Sequence, residues 1–116
     1  MIDSLKNSES FLEIISKGQK FTESGLTFYF LKKSDSIEPK FGVSIKKITG
    51  NAVYRNKLKR QIKNIININL DQLIGFNLVV VSYEKRQKPF KHHELISVFE
   101  KFFKKVKSFK WQNIYF

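Results

Sequence analysis

The chain has 116 residues, 22 Lys+Arg against 10 Asp+Glu for a formal charge of +12, 12 Phe and no Cys. That length suits one domain with a real core. The missing thiols exclude disulfides and thiolate metal sites, and the longest apolar runs are far too short to span a membrane. Met1 to Ser10 is polar with no apolar segment behind it, so no secretory signal is visible and the expected location is the cytoplasm. A field this positive suits nucleic acid or an anionic membrane surface better than small acidic substrates.

In chain order, Ser10-Phe11-Leu12-Glu13 reads as a capping box opening a short helix from about Phe11 to Lys17. Gly18 then suits a left-handed C′ position. Lys20 to Thr22 reads as a short strand and Leu26 to Leu31 as a stronger one. In the latter, Leu26, Phe28 and Phe30 share one side, while Thr27, Tyr29 and Leu31 share the other. Lys32 to Pro39 reads as a turn, and Phe41 to Lys46 as the next strand. Its Phe41, Val43 and Ile45 face one way. Gly42, Ser44 and Lys46 face the other, a side too polar for a core and therefore solvated or a ligand face.

From Val53 to about Leu70 the spacing predicts a helix with Tyr54, Leu58, Ile62 and Ile65 in a narrow arc. Arg55, Asn56, Lys59, Arg60 and Lys63 lie roughly opposite. Five Lys+Arg fall within the nine residues from Arg55 to Lys63. Charge on a helix that also carries an apolar seam sits on a folded surface, a device for gripping a polyanion. Gly50 and Asn51 turn the chain into this helix. Phe76 to Tyr83, with Leu78-Val79-Val80-Val81, reads as a strand buried on both faces. Glu84 to Phe90 is a polar loop. The last helix runs from about Lys91 to Ser108, with Leu95, Phe99, Phe102, Phe103 and Val106 inward, Lys101, Lys104, Lys105 and Lys107 outward, and no evident N-cap. Residues 109–116 read as an aromatic tail, able to move or to fold back.

The order αβββαβα, with a strand, a crossover helix and a buried strand forming a βαβ unit, predicts an α+β sandwich. It has one roughly four-stranded sheet and three helices in a single domain spanning 1–116. Such a crossover is ordinarily right-handed. His92 and His93 are adjacent and point apart, so they make no metal pair. Asp71 and the scattered glutamates form no acid–base pair, and there is no phosphate-loop pattern. The residues therefore predict no catalytic group, no metal site and no cofactor on the protein.

The run Gly42-Val43-Ser44-Ile45-Lys46-Lys47, then Gly50-Asn51-Ala52-Val53, Arg55-Asn56-Lys57 and Lys59-Arg60, resembles the signature of the bacterial ribonuclease P protein family. Leu5-Lys6-Asn7 followed by Phe11 and Gly18 is similar to that family's first helix. The strand with Tyr29, the strand Leu78 to Val81 and the basic last helix follow in the family's order. Three departures stand out. Lys57 replaces the usual Arg and cannot make Arg's planar bidentate fork with phosphate. The order Lys46-Lys47-Ile48-Thr49 replaces a serine and two lysines directly before the Gly-Asn block. Ile15 stands where an aromatic is common.

The resemblance implies a ribosomal-protein-S5-domain-2-like fold with a left-handed βαβ crossover. It also implies an accessory subunit of a ribonucleoprotein endonuclease that removes the 5′ leader of precursor transfer RNA. Catalysis and its Mg2+ ions would belong to the RNA subunit. The expected partners are that catalytic RNA and the precursor's leader, with no membrane and no obligate protein partner. Carried over by position, Lys46, Lys47, Asn51, Arg55, Asn56, Lys57, Lys59, Arg60 and Lys63 would grip the catalytic RNA. Phe11, Ile15, Thr27, Tyr29 and Ser44 would line a shallow leader cleft between the first helix and the sheet, where rings stack on any base and hydroxyls hydrogen-bond. The rival is a ribosomal-type RNA scaffold with no part in cleavage. A helix-turn-helix regulator would need a short helix before Val53, where a strand and a Gly turn are read. An independent nuclease would need acidic metal ligands.

Overall fold

The computed structural model describes residues 8–32, 39–82, 85 and 88–114, with side chains from 11 to 109 of that set. The elements are α1 (Ser8–Lys17), β1 (Gln19–Glu23), β2 (Leu26–Lys32), β3 (Phe41–Ile45), α2 (Ala52–Ile68), β4 (Phe76–Ser82) and α3 (His92–Ile114). Short 3-10 turns occupy Lys47–Thr49 and Leu70–Leu73. The α+β order expected from the sequence is the observed one. The four strands lie in the order β1-β2-β4-β3. The β1–β2 and β2–β4 pairs are antiparallel, and β3 runs parallel to β4 with α2 as the crossover.

One face of the sheet carries the main core. Leu26, Phe28 and Phe30 of β2 join Phe41 and Val43 of β3 and Leu78 and Val80 of β4. Against them pack Leu58, Ile62, Ile65 and Ile66 of α2, and Leu95, Val98, Phe99, Phe102, Phe103 and Val106 of α3. The rings form a connected network. Phe28 stacks on Phe102 at 4.4 Å and meets Phe99 edge-on at 5.1 Å, offset and T-shaped arrangements that aromatic quadrupoles favour. On the opposite face α1 is the cover, and Ile14 packs on Val79 and Val81 with Phe11, Tyr29 and Leu31 alongside. β4 is buried from end to end, as its unbroken apolar run requires.

Several local expectations are corrected. α1 begins at Ser8, so Ser10 sits inside the first turn instead of capping it. Gly18 is not left-handed, because the glycines with positive φ among the described residues are Gly25 and Gly75. Gly18 is needed for close approach, since a Cβ there would come within 2.9 Å of the Phe30 carbonyl oxygen. Ser24 (φ 52°) and Gly25 (φ 84°) make the two-residue link between β1 and β2, the φ signature of a type I′ hairpin turn. α3 continues past Ser108 to Ile114, and Phe109 meets Phe30 at 5.7 Å and Phe76 at 5.8 Å, so the start of the expected tail is packed helix. At the start of α3 the carboxylate of Glu94, its third residue, accepts from the Lys91 N–H at 3.0 Å, the reciprocal half of a capping box. Residues 33–38 of the turn expected over Lys32 to Pro39, most of the loop after β4, Leu5-Lys6-Asn7 and the side chains of 110–116 lie outside the described residues. No helix among the described residues is long and apolar enough to cross a membrane.

Candidate nucleic-acid interface

The basic residues sit on a turn and a helix that are tied together by hydrogen bonds. β3 ends at Ile45, paired with Ser82, and the Lys46 N–H donates to the Ser82 carbonyl at 2.8 Å. The chain then makes one 3-10 turn, closed by Thr49 N–H to Lys46 O at 3.0 Å. This turn presents Lys46, Lys47 and Ile48 to solvent and buries Thr49, whose hydroxyl reaches the Ser82 carbonyl at 3.2 Å and the Ser82 hydroxyl at 3.1 Å. Asn51 caps α2, its Oδ1 accepting from the Tyr54 N–H at 2.8 Å. The Arg55 Nε–H donates to the Gly50 carbonyl at 3.0 Å. Gly50 is close under Tyr54: a Cβ there would fall 2.7 Å from the ring.

The cationic set is thereby presented as one surface. Lys46, Lys47, Asn51, Asn56, Lys57, Lys59 and Arg60 are exposed, and Arg55 and Lys63 are half-buried. α2 contains no acidic residue. Its repelling cations therefore raise a local positive field on a helix fixed by Leu58, Ile62, Ile65 and Ile66 at the core. Two of these side chains already have structural duties: Asn51 caps the helix and Arg55 clamps the turn through Nε. Sequence reasoning missed Ile48 and Val53, which are 61% and 80% exposed beside the lysines. Two bare apolar side chains flanking a cationic turn are the one signal that could have found them.

The second candidate region lies on the α1 side of the sheet. Register sets Tyr29, Val79 and Gly42 in one row, and Thr27, Val81 and Ser44 in the next. The Phe11 ring lies over Gly42, where a Cβ would collide with it, so only glycine admits α1 this close. Phe11, Tyr29 and Ser44 are half-buried and Ile15 is 37% exposed, so these four retain an open edge. Thr27 does not: it is 1% exposed, and its hydroxyl lies 3.4 Å from that of Thr22. It belongs to the packed floor, and its expected direct contact is corrected on that ground. Lys20, exposed and paired directly across from Tyr29 on β1, adds a cation that the sequence reading did not single out.

A separate open pocket of about 510 Å³ lies between α2 and α3, lined in part by Ile68, His92 and Phe103. None of the residues named from the sequence as contacting RNA lines it. No group of three or more His, Asp or Glu side chains among the described residues is arranged to hold a metal.

The chain is thus a small α+β domain with a cationic helix on one layer and a half-open aromatic edge on the other. The comparisons give it a family. The Ribonuclease P family profile matches residues 2–107. The ribonuclease P protein component of Mesoplasma florum is 38% identical over 66% of this chain and 69% of its own length. That of Gluconacetobacter diazotrophicus is 32% identical over 66% and 68%. The fold is similar to that of the RNase P protein of Staphylococcus aureus, with a TM-score of 0.77 at 24% identity, covering 90% of this chain and 94% of that one. For the RNase P protein from Thermotoga maritima, the TM-score is 0.74 at 24% identity, covering 86% and 96%. The chain belongs to the ribonuclease P protein family.

Proposed function

We propose that this chain is the protein subunit of a ribonuclease P, working with a catalytic RNA to remove the 5′ leader from precursor transfer RNA. The observation that carries this reading is the turn-and-helix surface. Nine residues expected to meet RNA fall on one hydrogen-bonded unit that contains no acidic side chain. Lys46, Lys47, Lys57, Lys59, Arg60 and Lys63 hold RNA phosphates, releasing counterions and giving affinity without sequence choice. Arg55 adds a fork whose Nε is already fixed on Gly50, so it meets phosphate in a set orientation.

The α1 side takes the leader. Phe11 and Tyr29 offer ring faces to unpaired bases, Ser44 offers a hydroxyl, and Ile15 gives apolar contact at the rim. Lys20 supplies a cation beside Tyr29 for the leader backbone. The hydrolytic step and its Mg2+ ions belong to the RNA. The protein's part is to hold substrate and RNA together and to reduce their mutual charge repulsion.

The deciding experiment is precursor cleavage by the cognate catalytic RNA at low magnesium, with and without the protein, beside a protein-alone control. Strong activation with no cleavage by protein alone is the expected result. Tight RNA binding without activation would make the chain an RNA scaffold instead.

A further inference from the structure

Thr49 cannot touch an RNA. It is 2% exposed, beneath the one turn that carries Lys46 and Lys47. A buried hydroxyl must be hydrogen-bonded or it costs folding free energy, and here the partners come from the far end of another strand. One assignment satisfies every group. The Thr49 hydroxyl donates to the Ser82 carbonyl and accepts from the Ser82 hydroxyl, while the carbonyl's second lone pair takes the Lys46 N–H. Ser82 is also 2% exposed, so the whole cluster is shut away from water and from ligand.

The geometry points to a positioning role. We propose that Thr49 and Ser82 form a latch that holds the Lys46–Lys47 turn at a fixed place relative to α2, so that turn and helix engage RNA phosphates as one body. The inference rests on the reading of this surface as the catalytic-RNA contact. The turn is pinned at its start by Lys46 N–H to Ser82, at its end by Thr49 to the same residue, and onto α2 by Gly50 O to Arg55. Without the latch, holding Lys46 and Lys47 on phosphate costs conformational entropy at the moment of binding, which exceeds what these exposed contacts return, so they drop out of the complex and their counterion release goes with them. The order Ile48-Thr49 also acquires a reason. The turn throws Ile48 outward at 61% exposure and turns the polar Thr49 inward, where Ser82 supplies its partner.

The test is binding of the cognate catalytic RNA across a salt series, with thermal unfolding of each free protein measured in parallel. The variants are K46A/K47A, Thr49→Val, Thr49→Ser, Ser82→Ala and Val106→Ala, a core change remote from the turn. Each phosphate contact contributes about 0.7–0.9 to the slope of log affinity against log salt, so K46A/K47A should lower the slope by roughly 1–2. Thr49→Val, which keeps the volume and removes the hydroxyl, should lower the slope by a similar amount although it deletes no charge. Thr49→Ser should restore it, and Ser82→Ala should fall between. Val106→Ala should lower the unfolding temperature and leave the slope alone. If Thr49→Val does not fold, Ser82→Ala carries the test. A Thr49→Val or Ser82→Ala protein that is less stable yet keeps the wild-type slope overturns the latch while leaving the RNA reading intact. An unchanged slope in K46A/K47A removes the turn from the RNA interface and overturns the latch, while the α2 cations remain as the RNA contact.

Discussion

The two faces of the β-sheet are finished differently. Against α2 and α3, Phe28, Phe30, Phe99 and Phe102 are completely buried in one ring network. Against α1, the buried apolar residues are Ile14, Val79 and Val81, and Phe11, Tyr29 and Leu31 are only half covered. Burial of apolar area is what stabilises a small domain, so most of the stability resides on the side covered by α2 and α3. The α1 face leaves apolar and aromatic surface partly open. Sparse burial on one face and dense burial on the other separates the part of a domain that opens easily from the part that holds.

Four substitutions test this division. Phe102→Ala, in the thick layer, should cost about 3–5 kcal/mol in denaturant unfolding. A cost near 1 would mean the aromatic network is not the main support. Ile14→Ala, in the thin layer, should cost roughly 2 kcal/mol, the low end for such truncations, because few neighbours lose contacts. Equal costs for the two would erase the contrast between faces. Tyr29→Ala should weaken binding of leader-bearing precursor by about 1–2 kcal/mol through lost stacking while sparing mature transfer RNA. Equal loss for both RNAs would refute the leader cleft. Asn51→Ala removes the cap of α2 and should cost about 1 kcal/mol of stability, read by thermal unfolding. An unaltered midpoint would mean that water replaces the cap.

Much of the fold was legible from periodicity. The apolar arc Tyr54, Leu58, Ile62 and Ile65, the unbroken run of β4 and the inward positions of α3 each report burial through spacing alone. The cationic set was legible for the same reason, since the spacing that buries Leu58 exposes Lys59 and Arg60. The cleft was less so. Alternation places Thr27 beside Tyr29 on the α1 face, but it cannot say that Thr27 is sealed there while Tyr29 keeps an open edge. Nor does spacing along one strand show that Lys20 of the neighbouring strand pairs with Tyr29.

Local patterning by itself determined the elements, their order, their buried sides and the helix on which the charge is carried. Side-chain period follows directly from backbone geometry, which makes such features readable one segment at a time. The tertiary structure alone decided how far α1 settles onto Gly42, why Gly18 must be glycine, how α3 extends through Phe109, and which partner closes on Thr49. Thr49 and Ser82 lie 33 residues apart in sequence and 3.1 Å apart in space. A hydroxyl gives no sign along the chain of whether it will face water or a strand end, because its partner exists only once the sheet has formed.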